Sequence, residues 1–225
     1  GGWAFKPYKG LTDGRKVQLR ERDINLIRNR NEQLVTRISA TISNDSATVS
    51  TGKDYVTGGY EGVYPSGLKS AGATISSGRF INDNDIRQAR RVIVLHTDNA
   101  RNLFGEKDPI GKLVKINDLT FTVVGVFKHE WNTRSYIPYS TARNLSGGSD
   151  KVKNISVGVG SINSIADGEK AEKEMYVTLG NEHNFDATDQ GALWIRNYAK
   201  QRLTQNTASG ALELAVWIIS ILTML

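Results

Sequence analysis

The stretch from Arg91 to Pro138 constrains the fold more than any other part of the chain. Arg91-Val92-Ile93-Val94-Leu95 is a continuous apolar run of strand length, which fits a buried strand. Lys112 to Ile116 and Leu119 to Val126 read as the two arms of a hairpin turning at Asn117-Asp118. Arg134 to Pro138 adds a further short strand. Between the first strand and the hairpin, His96 to Phe104 suits a short helix, and Asp108-Pro109-Ile110-Gly111 suits a turn. A β-rich centre of this kind needs partners on its faces.

The flanks supply them. Residues 35–50 alternate in strand fashion with a turn at Asn44-Asp45, and 54–64 read as one strand, bulged at Gly58-Gly59. Asp23 is placed to cap a short helix carrying Ile24 and Ile27. Another short helix is expected at Ile86 to Arg90. Val152 to Val159 is a strand. Ala166 to Leu179 is an amphipathic helix with Ala171, Met175 and Leu179 at helical spacing. From Gln190 a further helix is expected, with Leu193, Trp194, Tyr198 and Leu203 as its apolar stripe. Gly147-Gly148-Ser149-Asp150 is the best internal break. The expected fold is α+β, with outer halves that come together around an inserted β-rich lobe.

The run from Leu214 to Leu225 has twelve residues without a charge and is apolar on all sides. A spanning helix takes about 20 such residues. The expectation is therefore the start of a transmembrane helix in a longer, membrane-attached chain.

Composition narrows the chemistry. At 225 residues, with 39% hydrophobic and 23% charged side chains, the chain has ordinary globular usage. Cysteine is absent, which excludes thiol catalysis, disulfides and cysteine-ligated zinc. The net charge of +6 suits anionic surfaces but is not specific. Basic side chains at 15–37 and at Arg87, Arg90 and Arg91 lack the interleaved aromatics of a nucleic-acid platform, so no nucleic-acid partner is expected.

Motifs for catalysis fail individually. Gly105 to Lys112 places five residues between its glycines where a phosphate loop needs four, and Leu113 stands where Ser or Thr must hold magnesium. Gly158 and Gly160 do not complete a dinucleotide fingerprint. Asp83 and Asp85 lack the glycine and glutamate of a calcium loop. His96, His129 and His183 show no metal spacing and read as surface polar residues. No serine elbow or paired carboxylate marks an active site. The reading is no enzyme, with no catalytic, metal or cofactor residues and no cofactor in this chain.

One ordered set of pieces does carry a family signature. It runs Gly78-Arg79-Phe80 with Asp83 and Asp85, Arg91 to Leu95, and Leu103-Phe104-Gly105. Asp108-Pro109-Ile110-Gly111-Lys112, Phe121 to Val126 with Gly125, and Tyr136-Ile137-Pro138 complete it. This set resembles the periplasmic core domain of MacB-type ABC transporter permeases, the group that also carries the FtsX-like permease region. His96 departs from it, since the family usually has glycine there. The marked residues Gly78, Arg79, Phe80, Asp83, Phe104, Gly105, Pro109, Gly111, Gly125 and Pro138 report a fold rather than a reaction.

The resemblance implies a porter-like lobe of helices on a mixed sheet, with a small inserted β-rich lobe. The expected boundaries are 1–77 and 149–207 for the porter-like lobe and 78–148 for the insert. Residues 208–225 would form a stalk and the start of a transmembrane helix, with Trp194, Tyr198, Leu203 and Leu214 membrane-proximal. It also implies an inner-membrane permease whose domain faces the periplasm or extracytoplasmic side. The implied partners are an ATP-binding subunit or domain, a second permease copy as a homodimer, a periplasmic adaptor and the lipid bilayer. ATP hydrolysis would drive extracytoplasmic motion for efflux or for lipoprotein or peptide handling. The alternative is a static adaptor-binding or ligand-sensing module.

Overall fold

A computed structural model describes residues 2–33, 35–68, 72–160, 163–197 and 204. The chain forms two compact units. One comprises the described residues of Gly1–Val17, Leu26–Arg37 and Gly158–Leu225; the other comprises Gln18–Asn25 and Ile38–Val157. The segment 78–148 lies wholly inside the second unit, which also takes in 38–77 and 149–157.

The second unit is built on a mixed sheet. Its strands are β3 (Val35–Asn44), β4 (Thr48–Ser50), β5 (Tyr55–Thr57), β6 (Tyr60–Val63), β7 (Thr74–Gly78) and β8 (Val92–His96). β9 (Leu113–Ile116), β10 (Leu119–Lys128), β11 (Ser135–Pro138) and β12 (Asn154–Val159) complete it. The order is β12-β3-β6-β11-β8-β10-β9-β4-β5, with β7 also paired to β10. β3 and β12 each cross a boundary between the units, at 37/38 and 157/158.

β8 is parallel to β10, and β6 is parallel to β11. The connection from β8 runs through α3 (Thr97–Phe104) into the β9–β10 hairpin. Val92, Ile93, Val94 and Leu95 are at most 4% exposed, so β8 is covered on both faces. Burial on both faces is why its sequence is continuous rather than alternating. One face carries the core cluster of Val63, Ala73, Ile81, Val92, Val94, Phe127 and Tyr136. The hairpin turn falls at Asn117-Asp118 as expected, with Asn117 at φ 52°.

Two short helices bear on the motif region. α2 (Asp83–Arg87) begins three residues before the start expected at Ile86, because Asn82 and Asp85 form a reciprocal capping box. α4 (Tyr139–Leu145) follows β11 directly, with Pro138 as its N-cap. The expected strand at 54–64 is two strands, β5 and β6, separated at Gly58-Gly59. Both glycines have positive φ, which ends the first strand instead of bulging it.

In the first unit, β1 (Trp3–Ala4) pairs with β2 (Arg15–Lys16). α5 (Ile165–His183) realises the expected amphipathic helix, burying Ala171, Met175, Tyr176 and Leu179. Ser164 and Asp167 form its capping box, and Asn184 closes it in the left-handed conformation.

Residues 190–197 contain no helix, contrary to the expectation from Gln190 onward. Their carbonyls are engaged elsewhere: Gly2 and Trp3 N–H groups donate to Ala192 and Gly191 at 3.0 and 2.9 Å. The Tyr176 hydroxyl donates to the Leu193 carbonyl at 2.8 Å. A helix spends those carbonyls on its own amides, so the two arrangements exclude each other. The α1 helix (Glu21–Arg30) contains Asp23 in its first turn, where the carboxylate accepts from the Arg20 N–H at 2.8 Å.

Among the described residues no helix is long and apolar enough to cross a membrane. The segment expected to start a transmembrane helix, 208–225, lies outside the described residues.

Candidate functional site

The marked residues of the second unit converge on one crossing. β7 and β10 pair antiparallel with Gly78 opposite Gly125. A Cβ on Gly125 would lie 2.1 Å from the Arg79 carbonyl oxygen. One on Gly78, where φ is +68°, would lie 2.4 Å from the Val124 oxygen and 2.8 Å from Ile110 Cδ1. The two backbones touch with no room for a side chain on either. The Arg79 N–H donates to the Val124 carbonyl at 2.8 Å and locks the crossing.

From that crossing Arg79 turns its guanidinium onto Asp85. Its two terminal nitrogens donate at 2.6 and 3.1 Å, and one also donates to the Phe80 carbonyl at 2.9 Å. Arg90 approaches the same carboxylate at 3.5 Å. The Asn82 N–H donates to it at 3.0 Å. Asp85 is fully buried. Burial by itself would raise its pKa, but the Arg79 hydrogen bonds, the Asn82 amide and the Arg90 charge outweigh that and hold it below the ordinary value.

Asp83, chosen from the sequence as the acidic member of the signature, is exposed on α2. Asp85 takes the central place instead. The Asn82-x-x-Asp85 spacing of a capping box was the available signal.

The other marked residues support the same knot. Phe80 packs edge-on against Tyr136 with ring centroids 5.6 Å apart. Pro138 ends β11 and starts α4, whose Ser140 and Thr141 hydroxyls donate to the Ile86 and Arg90 carbonyls at 2.6 and 2.8 Å. Ile110, next to Pro109, reaches the Gly78 crossing, and the Gly111 N–H donates to the Val123 carbonyl at 2.8 Å. Phe104 and Gly105 close α3, the Gly105 N–H donating to the Arg101 carbonyl at 2.8 Å. The motif thus fastens β7, α2, α4 and the hairpin to one another.

A second polar group lies along β3, β6 and β11. Arg134 pairs with Asp45 at 2.8 Å, and Lys153 stands 3.6 Å from both Asp45 and Glu61. Burial raises the Asp45 pKa, but the hydrogen bonds and charges of Arg134 and Lys153 together outweigh it and bring it below its ordinary value. Asn132 donates to Glu61 at 3.3 Å and to the Tyr136 hydroxyl at 3.1 Å. Burial, with Glu61 nearby, pushes the Tyr136 phenol up to about 12. Beside α4, Tyr139 donates to Glu21 at 2.9 Å, Arg143 pairs with Glu21 at 2.9 Å, and Tyr64 stacks on the Tyr139 ring.

His96 is not the surface residue expected; it is 3% exposed. It sits on β8 with its ring edge-on to Phe127, and its polar atoms are occupied by main-chain partners. The stalk residues are not brought together. Trp194 is 88% exposed and outside any helix, and Tyr198, Leu203 and Leu214 lie outside the described residues. Among the described residues no group of three His, Asp or Glu side chains could hold a metal ion.

The geometry is that of a tightly packed structural knot. The family model described as MacB-like periplasmic core domain matches residues 3–182. The chain belongs to that family. The macrolide export ATP-binding/permease protein MacB of Bdellovibrio bacteriovorus is 26% identical over 171 residues, which is 72% of this chain. This chain spans only 26% of that relative's length.

Two solved structures share the fold. The periplasmic region of MacB from Actinobacillus actinomycetemcomitans superposes with a TM-score of 0.69, at 22% identity, over 92% of this chain and 90% of that one. The extracellular domain of the ABC-type transporter YknZ from Gram-positive bacteria gives 0.63, at 23% identity, over 77% and 88%. As a MacB-like periplasmic core domain, the protein has the α+β fold and large mixed sheet expected of it.

Proposed function

We propose that this chain is the extracytoplasmic domain of an ABC transporter permease, and that it relays motion from ATP hydrolysis performed elsewhere in the transporter. The family match over residues 3–182 carries the reading. Its residue-level support is that Gly78 and Gly125 make a backbone crossing, Arg79 pairs with the buried carboxylate of Asp85, and Asn82 and Asp85 form a capping box. Parts of that kind stiffen a lobe so that it moves as a body. The curated relatives are named as ATP-binding and permease proteins, and this chain corresponds to about a quarter of such a chain. An ATP-binding domain, a second permease copy, a periplasmic adaptor and the bilayer are its proposed partners. The substrate class is efflux cargo, lipoprotein or peptide.

In this reading the segment after Asn197 joins the domain to a membrane helix that includes Leu214. Its stiffness transmits the stroke. Helix-breaking Ala208→Pro and Ala211→Pro substitutions in the full-length transporter test this. Loss of transport with unchanged expression and basal ATP hydrolysis is the expected result. Transport at the unsubstituted rate contradicts the coupling.

A further inference from the structure

The end of α1 and one face of α5 enclose a cleft of about 790 Å³ that lies wholly inside the first unit. Small-ligand pockets run from about 300 to 1,000 Å³. On α5 the lining residues are Lys170, Lys173, Glu174, Val177 and Thr178, spaced i, i+3, i+4, i+7 and i+8 along a single helix face. The other wall is the end of α1 and the turn after it, with Arg30, Asn31 and Glu32.

Two polar side chains of this cleft are more than nine-tenths buried, Asn31 at 7% and Thr178 at 5% exposed. Asn31 donates its amide to the Ile27 carbonyl at 3.0 Å, which leaves Oδ1 with no partner among the described residues. The Thr178 hydroxyl has no partner there either. Both groups offer hydrogen bonds to whatever enters the cleft.

The charges around them are of both signs. Arg30, Lys173, Glu32 and Glu174 make no ion pair among the described residues. Lys170 is partly committed, since its charge acts on Asp167. This mixture decides the ligand class. A simple anion meets Glu32 and Glu174, and a simple cation meets Arg30 and Lys173. An apolar molecule strips water from all four and replaces none of it. A molecule with one charge of each sign satisfies both sets.

We infer that the cleft binds a zwitterion of the α-amino-acid class, free or as a short peptide, with Glu174 receiving its ammonium group and Arg30 and Lys173 its carboxylate. Glu174 is half-buried and Glu32 exposed, and an ion pair strengthens as it is withdrawn from water. Val177, 42% exposed on the same face, suits an apolar side chain of the ligand. Asn31 Oδ1 accepts from a ligand N–H. The inference goes beyond the transport reading and is tested by binding alone, so its failure leaves that reading standing.

The test is isothermal titration calorimetry of the full-length protein in lipid nanodiscs. The probes are leucine and the tripeptide Ala-Leu-Ala, each with free ends, N-acetylated or C-amidated. Saturable binding of a free-ended probe is expected, weakened about tenfold when either end is blocked, as for one lost charge-assisted contact. Tighter binding of the tripeptide than of leucine supports the site as a peptide site, and the reverse supports it as a free amino-acid site. Glu174→Gln should abolish the cost of N-acetylation and keep that of amidation. Lys173→Gln and Arg30→Gln should do the opposite. Arg30 and Lys173 are exposed, so their variants fold, and an unchanged urea midpoint checks Glu174→Gln. No saturable heat from any probe at millimolar concentration overturns the proposal. So does binding indifferent to blocked ends, or to Glu174→Gln and Lys173→Gln alike.

Discussion

Arg79 and Asp85 form a two-point ion pair, with nitrogen–oxygen distances of 2.6 and 3.1 Å. The carboxylate is buried, while the Arg79 side chain is 39% exposed. Neutralising the acid removes the ion pair and weakens the half of the capping box in which the Asp85 carboxylate accepts from the Asn82 N–H. Asp85→Asn is expected to destabilise the second unit by about 3 kcal/mol, discounted from a fully buried pair because Arg79 keeps some contact with water. Asp83→Asn, on the exposed face of the same helix, is expected to change stability by about 0.5 kcal/mol or less. Urea unfolding of both variants reads the contrast.

The backbone contact at the β7–β10 crossing sets a second contrast. Gly125→Ala must push the Arg79 carbonyl aside, since the new Cβ would start 2.1 Å from it. A cost of about 3 kcal/mol follows. At Gly111, φ is +78° but nothing lies within 4 Å of a new Cβ. Gly111→Ala should cost about 1–2 kcal/mol, from backbone conformation alone. Equal costs at the two positions would contradict the crossing.

Acid sensitivity has a definite sign. The Asp85 pKa is lowered from an ordinary 3.8 on folding. At pH values between the folded and unfolded pKa the unfolded chain binds more protons, so stability rises with pH there. The contribution is fully present above about pH 4 and fades as pH falls through the folded value. The stability gap between the unsubstituted protein and Asp85→Asn should therefore narrow below pH 4. Asp45 shifts in the same direction, but its side chain is 59% exposed, so Asp45→Asn should change the acid limb less.

The Asp45–Arg134–Lys153–Glu61 group is a test of screening. Its members are partly exposed, with Arg134 at 33% and Lys153 at 34%. Lys153→Ala should cost roughly 0.5–1 kcal/mol at low salt and less at molar salt, where charges are screened beyond about 3 Å. Asp85→Asn should keep most of its cost at high salt. Thermal unfolding across ionic strength separates the two.

The sheet was legible wherever burial writes itself into the sequence. β8 shows a continuous run because both faces are covered, and the hairpin shows Asn117-Asp118 because a tight turn needs it. α5 shows Ala171, Met175 and Leu179 because one face packs. Three features were not legible, for separate reasons. Residues 190–197 have helical periodicity, but distant amides of Gly2 and Trp3 take their carbonyls. Asp83 and Asp85 flank the same residue, and only the fold turns Asp85 inward beneath Arg79. His96 ends an apolar strand, and nothing local announces that its ring would serve the carbonyl of His129, 33 residues away. The first and third depend on contacts far apart in sequence, which periodicity and spacing do not encode; for Asp85 the local Asn82-x-x-Asp85 spacing was the signal that went unread.

The central claim is that this domain faces the extracytoplasmic side of a membrane. The chain has no cysteine, so a cysteine introduced at Ser149, in the polar turn after α4, is unique within it. Labelling the full-length protein in intact cells with a membrane-impermeant maleimide, beside cytoplasmic and extracytoplasmic control sites, tests the claim directly. Modification of Ser149→Cys without permeabilisation is the expected result. Modification only after the membrane is opened would contradict the account.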